Sequence, residues 1–223
     1  KIEERSSEFL KKYGFVSLDE YNSFRFCDYA LHEFMNLAKN SSYYKDTIFV
    51  ITGDHGLTEH SPAAPEGYQE LRLSAFHVPL IIHGPGVVPG EYAKSGTHLD
   101  VFPTIAGLLG IGYKNYTLGR DLFDPRFDGS RYAFVGRAAP APLLLVDGDL
   151  CLYDNRDGEA KLLRYDAEDW RKNCAGEYPE LFTRLDNVAN GIFNTAKYML
   201  YNNKRQSWPV TKGKEEAIRT VSQ

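Results

Sequence analysis

Hydrophobic positions along this chain recur at helical spacing first and in short strand-like runs afterwards. Ser17-Leu18-Asp19-Glu20 reads as an N-cap with an acid at the capping-box position. Phe24, Cys27, Leu31, Phe34, Met35 and Leu37 then follow at helical intervals, predicting a helix that runs to about Lys39 and stops at Asn40-Ser41-Ser42. Thr47 to Thr52 (T-I-F-V-I-T) is apolar or β-branched without polar alternation, the pattern of a strand buried on both faces in a parallel sheet. Residues 61–70, rich in Pro, Ala and Gly, read as a loop. A second buried strand is expected from His77 to His83, closed by Gly84-Pro85-Gly86, with Pro79 placing it near an edge or at a bulge. Asp100 to Leu109 predicts a helix capped by Asp100, with Pro103 in its first turn and Gly110 ending it.

After Tyr113 the pattern changes. Tyr132 to Val135, Leu143 to Val146, Leu150 to Tyr153 and Lys161 to Tyr165 read as short strands of an antiparallel meander, with Asp147-Gly148 suited to a tight hairpin. Leu181, Leu185, Val188, Ile192, Phe193, Ala196 and Met199 form one stripe of a helix from Pro179 to Tyr201 that packs on that meander. The expected organisation is an α/β domain over 1–130, built on a largely parallel sheet flanked by helices, then a small antiparallel subdomain with a terminal helix over 131–208, and a frayed tail over 209–223.

Composition narrows this little. The 223 residues are enough for one sizeable core or one core with an appendage. Twenty-six basic and thirty acidic side chains are spread without a basic block, which indicates neither a nucleic-acid groove nor a polybasic membrane patch. Cys27, Cys151 and Cys174 have no zinc-knuckle spacing, and one disulfide with a free thiol remains open. No apolar run of about eighteen residues and no signal-peptide pattern is present. The chain starts without Met in helix-like sequence, which suggests a piece of something longer, although a cloning boundary would look the same.

The chemistry points to Ile48 to Glu59 (I-F-V-I-T-G-D-H-G-L-T-E), where strand formers stop at a glycine turn carrying Asp54 and His55. Neighbours in sequence face opposite sides of a regular strand, but Gly53 and Gly56 allow the backbone to turn both toward one point, where they would share a metal ion. Taken alone, the pair reads more readily as a turn cap beside a half-buried histidine.

The surroundings favour the metal. F-V-I-T-G-D-H-G, V-P-L-I-I-H-G-P-G, T-H-L-D-V-F-P-T-I-A-G-L-L-G-I and L-G-R-D-L-F (Leu118 to Phe123) occur in that order over roughly residues 15 to 125. Together they resemble the C-terminal half of the sulfatase-type branch of the alkaline phosphatase superfamily, and within it the lipoteichoic acid synthase-like phosphoglycerol transferases. The resemblance implies an alkaline phosphatase-like α/β fold and makes Asp54 and His55 two of four protein ligands of a catalytic divalent metal. The other two, a carboxylate and a Thr or Ser nucleophile, would lie upstream of Lys1, so this chain alone would be inactive. An imidazole ligand suits manganese or zinc and favours phosphoryl over sulfuryl transfer, so manganese is the expected metal, with zinc, magnesium and calcium as the other candidates. The implied substrate is a glycerophospholipid or a polyglycerol-phosphate or glycan-type molecule, the implied partner is the N-terminal half of the same enzyme, and the implied location is the extracytoplasmic face of a bacterial membrane.

Two further histidines are candidate substrate-binding residues. His60 follows on the same loop, where related transferases carry a histidine near the substrate phosphate or a second metal, and where a solvent-exposed loop residue would read the same. His98 could face the same crevice, although capping alone explains the T-H-L-D turn. Arg120 resembles a recurrent family position, yet an architectural ion pair is the plainer reading. His32, His77 and His83 are assigned only local roles. Rival readings are a sulfatase, which predicts calcium, a phosphoethanolamine transferase, which predicts zinc and extra histidines, and a non-catalytic binding module that keeps the Asp-His pair as architecture.

Overall fold

A computed structural model describes residues 2–93, 95–130, 132–136, 142–156 and 158–202. In chain order the elements are α1 (Ser7–Lys12), α2 (Leu18–Lys39), β1 (Phe49–Thr52), α3 (Glu66–Glu70), α4 (Leu73–Phe76), β2 (Leu80–His83), α5 (His98–Leu108), β3 (Ala133–Val135), β4 (Leu143–Asp147), β5 (Leu150–Asp154), β6 (Lys161–Arg164) and α6 (Pro179–Asn202). By compactness the chain divides after Ala189, not near residue 130. The second unit, from Asn190, begins with the remainder of α6, and the tail expected over 209–223 lies outside the described residues.

Local chemistry sets α2 as expected. The Ser17 side chain accepts from the Glu20 backbone N–H at 3.1 Å, and Glu20 Oε2 accepts from the Val16 N–H at 2.7 Å. The first bond satisfies a donor that a helix start leaves open, and the second ties the residue before the cap to the first turn. Yet Ala38 is the only buried residue of α2, and Phe24, Phe26, Tyr29, Phe34 and Leu37 are exposed.

Strand direction departs from the expectation. β1 and β2 pair antiparallel, Phe49 opposite His83 and Thr52 opposite Leu80, as a two-stranded sheet, so both described sheets are antiparallel. An unbroken apolar run reports burial, not strand direction. The α3 and α4 helices of the β1–β2 connection spend their apolar faces elsewhere, on the four-stranded sheet, instead of crossing over this pair. Nor is β1 buried on both faces, since only Phe49 of its residues is. Pro79 immediately precedes β2, where its missing N–H costs no ladder bond.

The four-stranded sheet, in order β3-β4-β5-β6, carries the main core. Alternation along each strand sends Leu143, Leu145, Leu150, Leu152 and Leu162 to one face, against Leu185 and Ala189 of α6. It sends Leu144, Cys151 and Leu163 to the other, against Leu71, Leu73 and Trp170. Residues before and after 130 therefore share one core. The β4–β5 hairpin has Asp147 opposite Leu150, and its first turn residue, Gly148, has φ +62°. A glycine with positive φ at that position is the signature of a type II′ turn. The three cysteines are free, with Cys151 and Cys174 in the cores on opposite faces of the sheet.

Thr97, not Asp100, caps α5. Asp100 stands at the third helical position and reaches back, its Oδ2 accepting from the Thr97 backbone N–H at 2.8 Å. Pro103 is consequently beyond the first turn and leaves the Leu99 carbonyl without its helical donor. Gly119 packs against that carbonyl so closely that a Cβ there would sit 1.9 Å from the oxygen. No described helix is long and apolar enough to cross a membrane.

Candidate metal centre

The turn after β1 is shaped by close approach. Neither Gly53 nor Gly56 has a positive φ. A Cβ on Gly53 would lie 3.0 Å from Val78 Cγ1, and one on Gly56 would lie 2.1 Å from the Ser74 carbonyl oxygen. The Gly56 N–H also donates to the Ala75 carbonyl at 2.9 Å. The two glycines thus let the loop press against α4 and the residues just before β2, which differs from the conformational freedom expected of them.

Between those glycines, Asp54 and His55 bring polar side-chain atoms near each other. Asp54 Oδ1 accepts from the His55 backbone N–H at 3.0 Å, and this leaves Oδ2 3.9 Å from His55 Nε2. Both side chains are solvent-facing, 92% and 69% exposed. The ring's other nitrogen, Nδ1, is 3.0 Å from the Gly56 carbonyl oxygen. A carbonyl can only accept, so Nδ1 carries a proton, and it is the neutral form of the ring that would present an Nε2 lone pair beside Asp54. A histidine that donates one N–H to a carbonyl while offering the other nitrogen is how proteins orient a metal ligand. Two metal–ligand bonds of about 2.1 Å each reach across at most roughly 4.2 Å, and the 3.9 Å separation lies just inside that reach. Among the described residues no group of three or more His, Cys, Asp or Glu side chains gathers here or elsewhere.

The other histidines separate clearly. His98, the first residue of α5, places Nε2 2.7 Å from the Gly53 carbonyl oxygen, directly beside the pair. His60 instead lines a hollow of about 360 Å³ with Ser7, Leu10, Lys11 and Phe15, a hollow that none of Asp54, His55 and His98 lines. The segment around it is tied to α1 by Ser61, whose hydroxyl donates to the Lys12 carbonyl at 2.5 Å. His32, His77 and His83 are paired locally with Asn36, Tyr68 and Tyr44. Arg120 is turned inward onto Asp100, its Nη2 3.1 Å from Oδ2, and also donates to the Tyr132 carbonyl at 3.0 Å. The anchoring of Gly53 by a side chain 45 positions away leaves no mark in the sequence near either residue.

Comparison with known proteins agrees with this architecture. The sulfatase family model matches residues 17–111. Lipoteichoic acid synthase 1 of Bacillus subtilis is 31% identical over 157 residues, covering 66% of this chain and 24% of that protein. Lipoteichoic acid synthase of Staphylococcus aureus is 29% identical over 191 residues, covering 80% and 28%. A solved alkaline phosphatase superfamily protein from Vibrio parahaemolyticus superposes with a TM-score of 0.57 at 26% identity, covering 76% of this chain and 38% of its own. The structure of Ps i-CgsB, with a TM-score of 0.53 at 16% identity and coverage of 87% and 45%, shares the fold alone. The chain spans about a quarter of the length of these curated relatives. The resemblance carried by the four segments stands, and with it the alkaline phosphatase-like α/β class.

Proposed function

We propose, from the match of residues 17–111 to the sulfatase family model and the similarity of the chain to lipoteichoic acid synthases, that it supplies half of the metal-binding set of a phosphoglycerol transferase or phosphodiesterase. The carrying observation is the 3.9 Å approach of Asp54 Oδ2 to His55 Nε2, with Nδ1 of the ring committed to the Gly56 carbonyl. Asp54 contributes a charged oxygen and His55 a neutral nitrogen, a mixed donor pair that suits manganese or zinc better than calcium. Bound there, a divalent cation supplies Lewis-acid stabilisation of phosphoryl charge and a lowered pKa for a hydroxyl or water.

The remaining ligands, the Thr or Ser nucleophile among them, come in this reading from polypeptide that precedes these residues in a longer enzyme. That enzyme works on a glycerophospholipid or polyglycerol-phosphate at the extracytoplasmic face of a bacterial membrane. The relatives' names and the mixed oxygen–nitrogen donor pair support this substrate class. Of the two candidate substrate-side histidines the proposal keeps His98, which lies beside the pair, whereas His60 lines a separate hollow.

The test is a ternary titration followed by Mn²⁺ electron paramagnetic resonance. Glycerol 1-phosphate is expected to tighten Mn²⁺ binding, inorganic sulfate to leave it unchanged, and Asp54→Asn to abolish the phosphate effect. Equal enhancement by sulfate would favour sulfuryl chemistry, and no enhancement by either would remove the proposal.

A further inference from the structure

The geometry points to His98 as a positioning residue that sets the orientation of the Asp54–His55 pair by holding the Gly53 carbonyl. The inference rests on the metal-site reading above. The Gly53 carbonyl and the Asp54 N–H belong to one planar peptide unit, so fixing the direction of that carbonyl fixes the plane from which Asp54 departs. His98 Nε2 holds the oxygen at 2.7 Å. The other donor on it, the Thr52 hydroxyl at 3.3 Å, comes from the adjacent residue and moves with the strand end it would have to restrain.

The backbone of the anchor is tied down by hydrogen bonds around the start of α5. His98 opens α5, whose first turn is locked by the bond from the Thr97 N–H to Asp100 Oδ2. Asp100 is in turn 1% exposed and is held by Arg120 through its backbone N–H at 2.7 Å and its guanidinium at 3.1 Å. On the far side of the pair, the Gly56 N–H is pinned to the Ala75 carbonyl at 2.9 Å. Asp54 and His55 are thus suspended between two fixed points. Only the His98 point is made by a side chain, and that side chain is itself solvent-facing, outside both hydrophobic cores. Because a carbonyl only accepts, the arrangement requires a proton on His98 Nε2.

The experiment compares Mn²⁺ affinity in the full chain for wild type, His98→Leu and His98→Gln, with circular dichroism as the check on folding. Glutamine restores an N–H donor near the Nε2 position and leucine does not. His98→Leu is expected to weaken binding roughly ten-fold, the lower end of what removal of a supporting hydrogen bond does at metal sites. His98→Gln is expected to stay near wild type, and ¹⁵N spectra should show His98 protonated at Nε2. Unchanged affinity in His98→Leu, equal weakening in both variants, or a bare Nε2 would each overturn the assignment. Should His98→Leu fail to fold, the glutamine variant and the ¹⁵N spectrum decide. Should wild type bind no Mn²⁺ at all, the metal reading fails separately. The positioning role is then read from amide exchange at residues 54–56, which must accelerate in His98→Leu and be restored in His98→Gln.

Discussion

Asp100 and Arg120 form an enclosed ion pair, 1% and 10% exposed at their side chains, that ties the first turn of α5 to the Gly119–Phe123 segment. Around it, the Thr104 hydroxyl donates to the Asp100 carbonyl at 2.7 Å and accepts from the Leu122 N–H at 2.9 Å. The Arg120 guanidinium also stacks 4.0 Å from the centre of the Tyr132 ring. Removing the cation strands a buried carboxylate, which typically costs about 3–5 kcal/mol. Arg120→Met is expected to lower unfolding stability by that order in urea, whereas a fully stable variant in which glycerol 1-phosphate no longer tightens Mn²⁺ binding would instead mark Arg120 as a substrate clamp.

The glycines at two close approaches give a second expectation. Gly56→Ala and Gly119→Ala force a Cβ to within 2.1 Å and 1.9 Å of backbone oxygens, while Gly112→Ala meets nothing within 4 Å. The first two should cost about 1–3 kcal/mol through forced backbone shifts. The third should be neutral or slightly stabilising. Thermal melts of the three variants check the ordering, and an unaffected Gly56→Ala would mean that the loop does not lie against α4.

What could be read from sequence tracks how local each determinant is. The Ser17 cap and its Glu20 partner lie three residues apart, so α2 was legible to its ends. The Leu-Leu-Leu-Val run of β4 and its neighbours announced strands, because burial on both faces of a covered sheet leaves no polar positions. That same property hid direction in β1 and β2, where pairing depends on where α3 and α4 find partners. At the candidate site, the identity of Asp54 and His55 was legible, but the glycines were given the wrong role. A residue without a side chain serves positive φ and tight contact equally, and only the neighbouring Ser74 carbonyl tells which. The cap of α5 was misplaced for a related reason, since in T-H-L-D both Thr97 and Asp100 are capping residue types and their bond is mutual.

Alkaline pH should unfold the protein through its core. Burial pushes the Cys151 thiol up to about 12. Burial first, then the nearby Tyr165, pushes the Tyr68 hydroxyl up to about 12 as well. In the unfolded chain these groups titrate near about 8.5 and 10. The folded state therefore holds more protons between those values and 12, so the stability is fully present below them and is lost as pH rises through that window. For Cys151 the slope approaches about 1.4 kcal/mol per pH unit. Urea midpoints measured from about pH 8 to 11 should fall, and Cys151→Ala should flatten the decline. Thiol labelling of the native protein at neutral pH should modify exposed Cys27 and spare Cys151 and Cys174.

With two protein ligands, the chain should hold its cation weakly and show no preference for calcium over manganese, since few charges surround the ion. It should also hydrolyse no phosphodiester, because the nucleophile of this reading lies in preceding polypeptide. Intact-mass measurement after incubation with Mn²⁺ and a phosphatidylglycerol analogue is expected to show no covalent adduct. A phosphorylated or phosphoglycerylated residue within the chain would require a nucleophile among its own side chains.

Shared capture of one cation by Asp54 and His55 is tested most directly by a double-mutant cycle on Mn²⁺ affinity with Asp54→Asn, His55→Gln and the pair combined. If the atoms 3.9 Å apart grip the same ion, each single variant loses nearly as much affinity as the double, a strongly non-additive result. Independent, additive losses, or binding that survives both substitutions, would contradict it.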